Sequence, residues 1–365
     1  MLGVIVTASA ALAAAPAAGL LAHRQLKRAA LAARLRVTTP YGIDESGFVR
    51  IGGIDQWISL RGDDLRNPVV LEIHGGPGAS NLAYTPRTRA WERHFTVVRW
   101  DQRGAGKTFG RTGPDGQGGP DGQGELTLER LYRDAVEVTV YVRARLGVER
   151  LVLVANSFGT VLGLRLARDH PELYSAYVGT DQNINAGGRD RTARDALLDR
   201  LERAGKTKEL AAVRALDTGE QAMGTEEWSA YTKLLVTSDP LTYDTMKTVV
   251  VRSLWFSPLH TLRELRDYFK GMTFSQRVAL DGGTLDEWAE GTAFRLPFFV
   301  FQGEHDVITP PGPARRFFDD VTAPVKDFAL IEGSSHFASF RRPDRFLELM
   351  LTKVRPAVTG TPVPR

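Results

Sequence analysis

The sequence predicts an α/β fold built on a mostly parallel sheet covered by helices. Three observations lead there. Short runs rich in Val, Ile, Leu or Phe recur along the chain and end in Gly, Asp, Asn or Ser, as strands buried on both faces do. Several of them are separated by stretches of helical apolar periodicity, the alternation that builds a sheet with helices on both faces. The chain has 365 residues, enough to bury a large core. It is 42% hydrophobic and 25% charged, with a net charge of only +4 and bases dispersed among acids, so nucleic-acid binding is not expected. The absence of cysteine excludes disulfides, thiolate metal sites and cysteine nucleophiles.

Residues 1–21, MLGVIVTASAALAAAPAAGLL, carry no charged side chain, and the following HRQLKRAALAARLR holds five Lys/Arg and no acid. Charge placed after the apolar run argues against a secretory signal. By the positive-inside rule it favours membrane association through residues 1–22, with the main domain on the cytoplasmic side of the inner face. Pro16 and the weak hydrophobicity of alanine leave two alternatives, a helix packed on the domain and a cleaved signal. The expected organisation is an N-terminal apolar and basic helix over 1–36, a first core segment over 40–181, a helical lid over 182–294, a second core segment over 295–355 and a tail over 356–365.

Taken in order, FVRIGGIDQWISLRG predicts a hairpin turning at Gly52 and Gly53. PVVLEIHGG, FTVVRWDQ, RLVLVANS, SAYVGTDQ, PFFVFQGEHD and KDFALIEGSSH each read as one buried strand. LTLERLYRDAVEVTVYVRARLG reads as a helix whose Leu128, Leu131, Val138, Val142 and Leu146 form one stripe. GPDGQGGPDGQG, residues 113–124, is a short tandem repeat with nothing to bury and is expected to be a mobile surface loop. The segment from 182 to about 294 is largely helical, contains Trp228, Trp255 and Trp288, and is expected to cover the carboxyl ends of the strands.

Ligands of a parallel α/β sheet sit at those carboxyl ends. The strand endings are HGGPG, DQRGAGKT, NSFG, TDQ, GEHD and GSSH. Ser157, in Ala155-Asn156-Ser157-Phe158-Gly159, reads as a nucleophile on a strand-to-helix turn, with alanine where a glycine is usual. His23, His94, His170, His260 and His305 lack the setting of His336, which follows the last strand among small neighbours and is the candidate base. The orienting acid is Asp306 or Asp181. Asp306 is favoured because EHDVITPP reads as a fixed loop leading into a helix near Gly312. A tetrahedral intermediate needs two backbone donors, one on Phe158 and one in the HGGPG loop, where Gly75 and Gly76 can aim an N–H inward. No metal or organic cofactor is called for.

HGGPG, DQRGAGKT, NSFGT, GEHD and GSSH, in this order and at these strand ends, resemble the proline iminopeptidase family of α/β-hydrolases over about residues 40–355. The resemblance implies an α/β-hydrolase fold with a helical lid inserted between two late strands. It maps the triad to Ser157, Asp306 and His336, the oxyanion donors to Gly76 and Phe158, and a structural loop to Asp101 and Arg103. It also implies a small-molecule or short-peptide substrate, cleaved at an N-terminal residue such as proline. Ala155, Asn156 and Phe158 depart from the family pattern. The family grips the substrate amine with lid glutamates, for which Glu220, Glu226, Glu227, Glu264 and Glu287 are available and solvated helix faces account for most. Alternatives are an esterase, lactonase or acyl-transfer enzyme on a small metabolite, and a non-catalytic binding protein on a hydrolase scaffold. Epoxide hydrolases and dehalogenases carry an aspartate where this chain has Ser157.

Overall fold

The computed structural model describes residues 2–114, 126–188, 190–216, 225–282 and 285–360. Its strands are β1 (Ile43–Ile51), β2 (Ile54–Gly62), β3 (Val69–Ile73), β4 (Thr96–Asp101), β5 (Leu151–Asn156), β6 (Tyr174–Thr180), β7 (Phe298–Gly303) and β8 (Lys326–Ile331). They form one sheet in the order β1-β2-β4-β3-β5-β6-β7-β8. β1 pairs antiparallel with β2 and β2 with β4, while every pairing from β4 to β8 is parallel. The first hairpin turns through Gly52 (φ 55°) and Gly53 (φ 77°) with Ile51 opposite Ile54, a two-residue turn that needs positive φ at both positions. The inner strands β3 and β5 are buried at every residue, so they carry continuous apolar runs and not alternation.

Helices cover both faces. α1 (Leu2–Arg34) precedes the sheet; α2 (Gly106–Thr112), α3 (Leu128–Leu146) and α4 (Gly159–Asp169) follow β4 and β5. α3 buries Leu131, Val138 and Val142 and is closed at both ends: Thr127 accepts from Arg130 N, and Gly147 stops the helix in the left-handed region. Of the 113–124 repeat, only Gly113 and Pro114 fall within the described residues.

Between β6 and β7 lie α5 (Thr192–Arg203), α6 (Thr207–Ala215), α7 (Thr225–Ser238), α8 (Pro240–Thr245), α9 (Arg252–Phe256), α10 (Leu262–Gly282) and α11 (Glu287–Glu290). Part of this insertion has its own small core of Leu197, Leu201, Leu210, Val213, Tyr231 and Leu235. The rest is fastened over the strand ends. Ser275 Oγ of α10 donates to Gly104 O at 3.0 Å, and a Cβ on Gly78 would lie 2.7 Å from Gly271 O, so α10 rests directly on the loops after β3 and β4. Thr242 of α8 hydrogen-bonds Ser335, beside His336. α12 (Pro311–Asp320), α13 (Ala338–Arg341) and α14 (Pro343–Leu349) complete the second half.

α1 docks on the insertion. Arg24 is buried and donates to Trp255 O at 2.8 Å and His260 O at 3.2 Å; Arg28 donates to Ser257 O at 2.9 Å and Pro258 O at 3.3 Å. These carbonyls end α9 or lie just past it, where no intrahelical donor is available and a cation is favoured. Among the described residues no helix is long and apolar enough to cross a membrane. The uncharged run of residues 1–21 falls mainly on positions whose side chains lie outside the described set.

α4 crosses β5 at close range, and this contact accommodates Ala155. A Cβ built on Gly163 of α4 would lie 2.6 Å from Ala155 Cβ and 2.9 Å from Tyr177 Cε2. The methyl group at the first position of the turn is therefore housed by a glycine one helix away. Gly163→Ala is expected to destabilise the fold by about 1–3 kcal/mol in denaturant titration. Adding Ala155→Gly should recover part of that loss, the Tyr177 contact remaining. An equal loss in both backgrounds would refute the pairing.

Candidate active site

The loops after β5, β7 and β8 bring Ser157, Asp306 and His336 together. Ser157 stands between β5 and α4 with φ 51°, a left-handed conformation that a non-glycine residue adopts only when its surroundings enforce it. Ser157 N donates to Thr180 O at 3.0 Å, and Ser157 O accepts from Thr160 N at 2.8 Å and Thr160 Oγ1 at 2.6 Å. Gly159 is required: a Cβ there would lie 2.4 Å from Ile73 O and 2.7 Å from His74 O. Asn156 secures the turn from behind. It accepts from Asn81 Nδ2 at 2.9 Å and donates to Thr180 Oγ1 and Ser339 Oγ, each at 3.4 Å. This residue, unusual for the resembled family, is thus a buried bridge between three segments.

His336 Nε2 lies 3.0 Å from Ser157 Oγ, and His336 Nδ1 lies 2.8 Å from Asp306 Oδ2. Asp306 is itself held: Oδ1 accepts from Ile308 N and Thr309 N at 2.9 Å, and Oδ2 from Thr309 Oγ1 at 2.8 Å. Neutral His336 can then donate from Nδ1 to Asp306 and accept from the Ser157 hydroxyl at Nε2. Asp181, the other candidate acid, is also present and buried. It does not bond the imidazole; its carboxylate accepts from Phe337 N at 3.0 Å and Ala338 N at 3.3 Å. Phe337 (φ 64°) and Asp181 (φ 50°) share the left-handed conformation, so three non-glycine residues in this conformation surround the site.

Two carboxylates therefore flank one imidazole. Burial acts to lower the His336 pKa, but the charges of Asp306 and Asp181 and the Asp306 hydrogen bond outweigh it and raise it to about 9. Burial raises Asp181 to about 7, with the His336 charge opposing and the Asp306 charge adding to the rise. Asp181, Asp306 and His336 offer donor atoms within 4.8 Å of one another, the one such metal-ligand group among the described residues. Both ring nitrogens of His336 are already engaged, so a cation there would have to displace the contact with Asp306 or Ser157.

Gly75 lies against the turn: a Cβ on it would be 2.9 Å from Ser157 Cβ and 3.5 Å from Phe158 N. Its orientation is set by His74. Gln102 N donates to His74 Nε2 at 3.1 Å, so the ring proton sits on Nδ1, 2.8 Å from Gly75 O. Burial lowers the His74 pKa to about 4, against the Gly75 contact, which keeps the ring neutral. A planar trans peptide points its N–H opposite its C=O, so with Gly75 O turned to His74 the N–H of Gly76 faces away from that ring. Phe158 is the N-cap of α4 and its side chain is buried.

The DQRG loop is held in place by its own charged side chains. Asp101 accepts from Ser80 Oγ at 2.5 Å and from Lys107 N at 2.8 Å in the first turn of α2, and burial raises its pKa to about 6. Arg103, fully buried, donates to Asp134 Oδ2 at 2.9 Å and Gly52 O at 2.6 Å, tying the loop to α3 and the hairpin. Of the lid glutamates, Glu220 lies outside the described residues, and Glu226 and Glu227 are exposed on α7. Glu264 pairs with Lys107 at 2.5 Å. Glu287 is buried and accepts from Asn185 N and Ala186 N at 2.9 Å. The orienting role of His74 and the bridging by Asn156 are not expected from sequence, although the two residues open the HGGPG and NSFG motifs.

A serine on a strained strand-to-helix turn, bonded through histidine to an acid at the carboxyl ends of a parallel sheet, defines a hydrolase of α/β architecture. The chain belongs to the alpha/beta hydrolase fold family, whose model matches residues 68–343. It is 23% identical over 315 residues to the Bacillus subtilis protein named "Probable aminopeptidase YbaC", covering 84% of this chain and 94% of that one. It is 35% identical over 118 residues to the Streptomyces coelicolor "Probable proline iminopeptidase", covering 31% of this chain and 32% of that one. Among solved structures, the proline iminopeptidase of Mycobacterium smegmatis superposes with a TM-score of 0.57 at 19% identity, over 87% of this chain and 100% of that one. A Thermogutta terrifontis esterase does so with 0.53 at 15% identity, over 86% and 100%. At these identities the superpositions speak for the fold.

The charges around His336 give a pH signature. If His336 is the base that takes the serine proton it must be neutral to do so, and activity should then rise from pH 7 toward about 9, to which the flanking carboxylates push its pKa. Asp181→Asn removes one of the two anions raising that pKa and should move the limb to lower pH. Asp306→Asn should lower kcat by about 10⁴-fold. The pH dependence of kcat/KM in both variants checks this. Retained activity in Asp306→Asn with loss in Asp181→Asn would exchange the two assignments.

Proposed function

We propose that this chain is a serine hydrolase in which Ser157 is the nucleophile, His336 the general base and Asp306 the acid that orients it. The observation that carries the proposal is the continuous relay, 3.0 Å from Ser157 Oγ to His336 and 2.8 Å from His336 to Asp306, on a serine at φ 51°. Ser157 Oγ attacks the substrate carbonyl carbon while His336 Nε2 takes its proton. The carbonyl oxygen becomes an oxyanion held by the N–H groups of Phe158 and Gly76, with Gly75 shaping the pocket. His336 returns the proton to the leaving group, and water hydrolyses the acyl-enzyme by the same steps. Asp306 fixes the tautomer and stabilises the imidazolium without being protonated. The segment 182–294 acts as the lid over this site, and the uncharged run of residues 1–21 associates with a membrane.

The substrate class supported first is a peptide or amide from which one N-terminal residue, such as proline, is removed, as the names of the two curated relatives suggest. One observation favours a second reading, hydrolysis or acyl transfer on an ester or lactone. Gripping an ammonium group takes inward carboxylates, and Glu226, Glu227, Glu264 and Glu287 are exposed or already bonded within the protein.

Turnover of prolyl and other aminoacyl p-nitroanilides, compared with short-chain p-nitrophenyl esters, separates the readings. Activity on anilides with a free N-terminus, lost when that amine is acetylated, is the expected result. Turnover of esters alone would remove the peptidase reading. Ser157→Ala should lower kcat by about 10⁶-fold on whichever substrate is accepted.

A further inference from the structure

Helix α1 turns Arg24 and Arg28, one helical turn apart, onto the insertion; Arg24 is buried and Arg28 half-buried. Leu20 lies one turn before Arg24 on the same side, yet it is 53% exposed, and Leu21 is 43% exposed. The helix has therefore passed the edge of the insertion by that turn. Residues 2–22 contain no ionisable side chain.

The corner on which α1 docks leads directly into α10. Arg28 binds Pro258 O, four residues before Leu262, and buried His260 lies within electrostatic reach of Arg24, Arg28 and Glu264 together. α10 turns Leu265, Tyr268 and Ser275 inward. Its outer side carries Leu262, Arg266 and Phe269 one above another, flanked by Arg263 and Lys270, all exposed. Leu262 is 49% and Phe269 56% exposed. The acids of this stretch are withdrawn: Glu264 is held by Lys107, and Asp267 is buried behind Arg263 and Arg266 at 3.9 and 3.5 Å. The outer side thus presents three cations, two of them sharing the single carboxylate of Asp267, around two large apolar side chains, a net positive and apolar composition suited to an interface with anionic headgroups.

We propose that the outer side of α10 and the uncharged N-terminal end of α1 form one docking surface for an anionic lipid bilayer. The α1 half rests on the membrane-association reading above, while the α10 half stands on its own exposed residues. Arg24 and Arg28 join the two parts, because they fix α1 to the turn from which α10 starts. Binding through this surface places the insertion against the bilayer. Its inner face remains packed on the Gly78 and Gly104 loops, the first of which carries Gly75 against Ser157.

Sedimentation of the full chain with phosphatidylcholine vesicles, with and without phosphatidylglycerol, tests the proposal. The expected result is tighter binding to the phosphatidylglycerol vesicles, weakening as salt screens the surface. The combined variant Arg263→Gln, Arg266→Gln, Lys270→Gln should lose about 10²-fold in binding to those vesicles, at roughly 1 kcal/mol per basic side chain. Deletion of residues 2–22, which keeps Arg24 and Arg28, should weaken binding to both vesicle types. Circular dichroism of each variant verifies that it is folded, and the readout does not depend on catalysis. Absence of binding by the parent chain would overturn the proposal. So would either variant binding like the parent, and which one does so identifies the half that fails.

Discussion

The site depends on one backbone constraint, the left-handed turn at Ser157. A non-glycine residue at φ 51° costs on the order of 1–3 kcal/mol and persists only when its neighbours leave no other path for the chain. Those neighbours are visible. β5 delivers the turn at the centre of the sheet, Gly159 lets α4 start within contact of the β3 carbonyls, and Gly163 makes room for Ala155. Asn156 then joins the turn to Asn81, Thr180 and Ser339, in three segments around Ser157. The alanine that looks like a defect in the motif is matched by the glycine it faces.

Around this turn, charge is arranged to hold geometry. Asp306 has both oxygens filled by a short loop and presents one of them to His336. Asp181 holds the backbone of the same histidine loop at Phe337 and Ala338. One acid therefore orients the ring, and the other orients the chain that carries it. His74 extends this logic to the glycine loop, where a neutral imidazole between Gln102 N and Gly75 O fixes the peptide whose N–H belongs to Gly76. Farther out, Arg103 and Asp101 hold the loop after β4 against the hairpin, α3 and α2.

The strands were legible because burial on both faces demands uninterrupted Val, Ile, Leu and Phe, and the hairpin because two glycines stand between alternating runs. The residues at the strand ends were legible because a parallel sheet collects them on one edge. Local patterns could not reveal contacts across long separations. That Arg24 and Arg28 would cap carbonyls more than two hundred residues away had no sequence signature, since both sit in an ordinary basic helix. Which of the lid glutamates is buried could not be read, because the partners of Glu287, Asn185 and Ala186, lie about a hundred positions earlier. Asp181 and Asp306 could be ranked but not given separate duties, because both end strands that approach the same histidine.

The proposed relay makes Ser157 uniquely nucleophilic among the serines of the fold. Labelling the folded protein with a fluorophosphonate and locating the adduct by peptide mass mapping tests it most directly. The expected result is one adduct per chain, on Ser157, absent after unfolding and in His336→Ala. A folded protein that leaves Ser157 unmodified, or that takes the label on other serines, would contradict it.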